Sequence, residues 1–169
     1  MTSDVCGDAK LSKIISDFLM EAREAPLYRK KMNIYTGLKK FTSEGYESSL
    51  DFNNITGVLF FKDGEKASTW GEALEMLNRS RLCYILKNGV EGLKDFYSYK
   101  NKNDYICVLE AIDEKNMYLA QSCRHRLIVG KFAVELGYVS SLATAFEVKV
   151  EFYDSQSFFK PFLDLFKKH

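Results

Sequence analysis

Leu11, Ile14, Ile15, Phe18, Leu19 and Ala22 recur at intervals of three and four residues, which is the spacing of one buried helix face. Asp8 stands where an N-cap belongs. Pro26 pushes Ala25 out of helical geometry, so the helix should stop there. The segment Tyr28 to Phe41 has mixed character, and Thr42 to Asn54 reads as a polar loop. Ile55 to Phe61 is apolar, β-branched and aromatic, which predicts a strand, and Asp63-Gly64 is a turn signal behind it. Thr69 and Glu72 have capping-box spacing and introduce a short helix with Trp70, Ala73, Leu74 and Leu77 on one face.

From Arg81 to Lys87, Leu82, Tyr84 and Leu86 alternate with other residues, and the period of two predicts a strand. Asn88-Gly89 is a strong hairpin dipeptide and would return the chain through Val90 to Tyr99. Tyr105 to Ile112 and Met117 to Gln121 read as two strands about a polar turn. Arg126 to Leu136 fits either period; Gly130, Ile128, Val129 and Val134 favour a strand, with a helix as the alternative. Over Ala145 to Tyr153, Phe146, Val148, Val150 and Phe152 alternate with Glu147, Lys149 and Glu151, the pattern of a half-exposed antiparallel strand. Phe158, Phe159, Phe162, Leu163, Leu165 and Phe166 predict a terminal helix, its regular part starting at Pro161.

Strands joined by tight turns argue for an antiparallel arrangement. The expected fold class is α+β. A β-rich antiparallel meander, a barrel or a sandwich, would carry an N-terminal amphipathic helix, a short inserted helix and a C-terminal helix. One domain over residues 1–169 is the economical division. Residues 1–25 form either part of it or an appendage, and 55–169 form the β-rich core.

The run Phe146 to Asp154 leading into Ser157-Phe158-Phe159 and Phe162 to Phe166 resembles the last strand and closing helix of pleckstrin-homology-like domains. That superfold includes EVH1, Ran-binding and decapping-activator modules. The resemblance implies a sheet closed by the terminal helix, and it makes a lipid headgroup one ligand to consider. The only tryptophan, Trp70, falls in the inserted helix, unlike the tryptophan of EVH1 peptide grooves.

Composition narrows the function classes. Hydrophobic residues at 46 % and charged residues at 28 % are a globular balance and exclude intrinsic disorder. Twenty-four basic against 23 acidic side chains give a net charge of +1, without the basic excess of a dedicated nucleic-acid binder. No apolar run is long enough for a transmembrane helix, and Met1 to Lys10 is polar and acidic, unlike a signal peptide. Cys6, Cys83, Cys107 and Cys123 form no CxxC pair, so reduced thiols and an intracellular protein, cytoplasmic or nuclear, are expected. No cofactor or metal is called for.

No nucleotide-loop, nucleophile-elbow or zincin motif occurs, and Cys123 with His125 lacks an evident base or orienting group, so the chain reads as a non-enzyme. Arg124, His125, Arg126 and Lys131 form a candidate cationic edge for phosphate, because the arginine fork donates two parallel hydrogen bonds. A solvated charged face accounts for the same residues. Tyr97, Tyr99 and Tyr105 interleave with Lys94, Lys100 and Lys102, a pattern that can stack bases in RNA or meet a protein. The reading that follows is an intracellular protein–protein interaction domain, an adaptor or complex subunit that binds another protein or a second copy of itself. The alternative is a nucleic-acid or phosphoinositide-binding module.

Overall fold

The computed structural model describes residues 7–32, 41–47, 50–58, 67–87, 89, 105–111, 117–120, 124–143 and 147–153. Its elements are α1 (Ala9–Glu24), α2 (Pro26–Arg29), β1 (Phe41–Glu47), β2 (Leu50–Asp51), a 3-10 turn (Phe52–Asn54), β3 (Ile55–Val58), α3 (Trp70–Glu75), α4 (Arg79–Leu86), β4 (Tyr105–Ala111), β5 (Tyr118–Ala120), α5 (Arg124–Glu135), β6 (Leu142–Ala143) and β7 (Glu147–Tyr153).

Five strands form one sheet in the order β1-β7-β4-β5-β3. β7 is antiparallel to β1 and parallel to β4, β4 is antiparallel to β5, and β5 is parallel to β3. A second, small sheet pairs β2 with β6. This overturns the expected antiparallel meander, barrel or sandwich. The protein is a mixed, helix-rich α/β structure, and only β4–β5 among the described residues keeps the expected hairpin relation. The physical reason is that two of the predicted strands are helices, α4 and α5, so β7 pairs between β1 and β4, both distant in sequence, rather than with a hairpin neighbour.

Two predicted strands are helices. Over 81–87, Leu82, Cys83, Ile85 and Leu86 are buried while Tyr84 is 59 % exposed, so the apparent alternation of Leu82, Tyr84 and Leu86 is not one face. Asn78 caps α4 by accepting a hydrogen bond from the Arg81 amide at 2.9 Å. Gly89 donates its N–H to the Leu86 carbonyl at 2.7 Å and closes the end of α4, where a hairpin was expected. Over 126–136, Leu127, Ile128, Val129, Phe132 and Ala133 are all buried, a helix walled in on most sides. Such a helix shows no single apolar stripe, and its β-branched residues imitate a strand. It ends in a Schellman pattern: Tyr138 N bonds Ala133 O, Gly137 N bonds Val134 O, and Gly137 takes φ 76°.

The expected loop 42–54 also holds structure, since β1 pairs along β7 and β2 along β6. Polar strands like β1 borrow their order from a neighbour rather than from apolar alternation. The tail of the predicted strand at 55–61, the whole of the predicted strand at 90–99 and the terminal helix from 158 lie outside the described residues. So does the helical half of the pleckstrin-like pattern; its strand half is β7.

The core joins helices and sheet. Leu11, Ile15, Phe18 and Ala22 of α1 pack in one cluster with Trp70, Leu74, Leu86, Leu127, Phe132, Ile55, Ala120 and Val150. Tyr118, Leu119 and Ala120 of β5 are buried in succession, so both faces of the sheet are covered there. The α1 helix has the predicted Asp8 cap and packs mainly along α4. At the α2–α3 crossing, a Cβ on Gly71 would come within 2.5 Å of the Tyr28 carbonyl oxygen. Above it, Glu75 accepts from Arg23 Nε at 2.7 Å and from the Tyr28 hydroxyl at 3.1 Å, and the Arg23 bond foremost holds its carboxyl below the usual range. The predicted capping box is present in shifted form: Thr69 Oγ1 accepts from the Glu72 amide at 3.2 Å, and Glu72 reaches back to the Ser68 amide at 2.6 Å.

Cys83 is buried and disulfide-bonded, with its partner's side chain outside the described residues. That corrects the expectation of reduced thiols and removes the thiol argument for an intracellular place. No described helix is long and apolar enough to cross a membrane.

Candidate anion-binding cleft

Two helices begin alike. α4 opens with Arg79-Ser80-Arg81-Leu82 and α5 with Arg124-His125-Arg126-Leu127. In each the leucine is buried and anchors the first turn in the core. The residues before it are left toward the surface, Arg79, Ser80 and Arg81 exposed and Arg124, His125 and Arg126 half-buried. Neither first turn holds an acidic residue. Positive side chains at the positive end of a helix are opposed by the backbone dipole, so these turns are built against local electrostatics.

The two starts meet at a cleft of about 320 Å³ lined by Asn78, Ser80, Arg81, Tyr84, Ile85, His125 and Arg126. Arg81 Nη1 lies 2.7 Å from His125 Nδ1. A guanidinium can only donate, so Nδ1 accepts and the imidazole in this geometry is neutral with its proton on Nε2. Arg79 donates from Nη2 to Ser12 Oγ at 2.6 Å, which turns it toward α1. Lys87 Nζ stands 5.9 Å from the centre of the Tyr84 ring. The cleft offers hydrogen-bond donors, positive charge, a hydroxyl and an aromatic wall, and no carboxylate lines it among the described residues.

The predicted cationic edge is therefore divided. His125 and Arg126 enter the cleft, and Arg124 sits on the same helical turn but does not line it. They belong to a helix start, not to the edge of a strand. Lys131, two turns further along α5, is a packing residue. Its ammonium donates to the Phe52 carbonyl at 2.8 Å and lies 5.2 Å from the centre of the Trp70 ring. Burial first, then the Lys30 charge, lower its pKa to about 8. Tyr97 and Tyr99 lie outside the described residues.

Sequence reasoning missed Asn78, Ser80, Arg81 and Tyr84, because a strand over 81–87 would scatter them to two faces. The available signals were Asn78 at N-cap spacing and the Arg-x-Arg-Leu opening that the chain uses twice. No protein-family model, curated protein or solved structure matches the chain.

Proposed function

We propose that this chain is a non-enzymatic interaction domain, an adaptor or complex subunit, that holds an anionic part of its partner in the cleft between α4 and α5. The observation that carries this reading is the meeting of Arg81, His125 and Arg126 in one cleft with no acidic residue among its described lining. The positive ends of the two helix dipoles and the basic side chains on their first turns both favour an anion in the cleft. The cleft's described lining also lacks a thiol or carboxylate that could act with His125 as an acid–base pair, which supports a binding role over catalysis.

The test is capture of partners by the tagged chain at two salt concentrations, beside an Arg81→Glu/Arg126→Glu variant. An acidic protein held at low salt by the parent chain and lost by the variant is the expected result. Capture by the variant equal to the parent's at both salts overturns the reading. The second reading, a nucleic-acid or phosphoinositide module, is favoured by the exposed Tyr84 beside the cations. Nucleic acid or lipid eluting with the low-salt fraction in place of protein would select it, because phosphate contacts release counterions.

A further inference from the structure

Resting on the anionic-ligand reading, we propose that the cleft is a pocket for a phosphate monoester carried on a flat ring. The lining changes character along α4. Asn78, Ser80 and Arg81 come first, and Tyr84 and Ile85 follow three and four residues after Arg81, on the same helical face. One turn advances about 5.4 Å, so the polar and the aromatic parts of the wall lie one above the other. His125 and Arg126 face them from α5. A ligand lying along α4 meets N–H and O–H donors at one end and an aromatic ring with an aliphatic floor at the other.

A phosphate monoester suits the first end better than a carboxylate does. It carries a charge near −2 and three strong acceptor oxygens, which match two guanidinium groups and a hydroxyl. A flat ring suits the second end. Tyr84 is 59 % exposed and offers its ring for stacking, and Ile85 is buried beneath. The volume, about 320 Å³, falls at the small end of the range for small-ligand pockets and exceeds what a bare phosphate needs. The same chemistry has two sources, a phosphotyrosyl segment of a protein or a free mononucleotide.

The experiment is titration calorimetry on the full chain at low salt with phenyl phosphate, inorganic phosphate and a polyglutamate peptide. Phenyl phosphate should bind more tightly than inorganic phosphate by roughly five- to hundredfold, the range of a stacking contact. Tyr84→Ala should erase that advantage, Tyr84→Phe should keep it, and Arg81→Gln should weaken both phosphates. Tyr84 and Arg81 are exposed, so the variants should fold, which circular dichroism checks. Equal binding of the two phosphates, or a Tyr84→Ala variant that keeps the difference, overturns the proposal. If polyglutamate binds and phenyl phosphate does not, the ring-phosphate proposal falls and the anionic-partner reading stands. If no anion binds, both fall. A preference between adenosine monophosphate and a phosphotyrosyl peptide then identifies the source, and either one supports the proposal.

Discussion

The Arg81 guanidinium donates to Nδ1 of His125 at 2.7 Å, so one cation of the cleft is held by a neutral ring from the other helix. Protonating His125 turns its acceptor into a donor and sets two cations face to face. The neutral ring should therefore carry its proton on Nε2, with nitrogen chemical shifts to match. Arg81→Gln should leave a mixture of tautomers. A neutral His125 protonated at Nδ1 in the parent chain contradicts the geometry.

Neutralising Arg126 should weaken anion binding and flatten its salt dependence. The Arg126→Gln variant keeps much of the side chain and loses one positive charge of the cleft, so the fall in affinity with added salt should become less steep. Calorimetric titration with inorganic phosphate at two salt concentrations measures this, and an unchanged salt slope would take Arg126 out of the site.

Lys131 should leave a signature in the pH dependence of stability. Its folded-state pKa, about 8, lies below the ordinary 10.5. Between these values the unfolded chain binds more protons, so stability rises with pH. The penalty for burying the charge is present below pH 8 and is relieved above it. Tyr138 acts in the opposite direction above about pH 10, because its hydrogen bond to Glu21 raises its pKa to about 12. The window from pH 8 to 10 isolates the lysine. Lys131→Met should flatten the rise in melting temperature across that window, and an unchanged slope would mean that the ammonium is solvated.

Gly71→Ala should cost about 1–3 kcal/mol, the usual price of overpacking. The added methyl meets the Tyr28 backbone oxygen at 2.5 Å, a group that can move only if α2 leaves α3. Denaturant unfolding measures the loss. A fully stable variant would show that the α2–α3 crossing is loose.

Under denaturing conditions without reductant, a thiol reagent should count no more than two of the four cysteines. Cys83 is disulfide-bonded and occupies one partner with it. Reduction should expose four thiols and lower the melting temperature, because the bond is attached at a buried position of α4. Four free thiols before reduction would show the bond to be absent.

Local chemistry was legible where it is self-contained. The α1 stripe, the Asp8 cap, the stop before Pro26 and the Thr69–Glu72 box each depend on residues a few positions apart, and the structure contains all four. The β4–β5 pairing follows from two apolar runs about a short turn. By contrast, α5 is buried on several sides, and a helix surrounded by core loses the 3.6-residue stripe that marks it in a sequence, while α4 spans only eight residues and its Leu82, Tyr84 and Leu86 imitate a period of two. Only tertiary packing distinguishes Leu82 and Leu86, which are buried, from Tyr84, which is not. The cleft depends on the same decision. The basic residues of α5 were visible as a cluster, but Arg81 lies 44 positions away, and no local rule brings it to His125. Lys131 shows the converse, since it belongs to the sequence cluster and the packing of α5 against Phe52 and Trp70 takes it out of the site. Charge patterns are written in sequence, whereas which charges share a cavity is set by how helices are laid on a sheet.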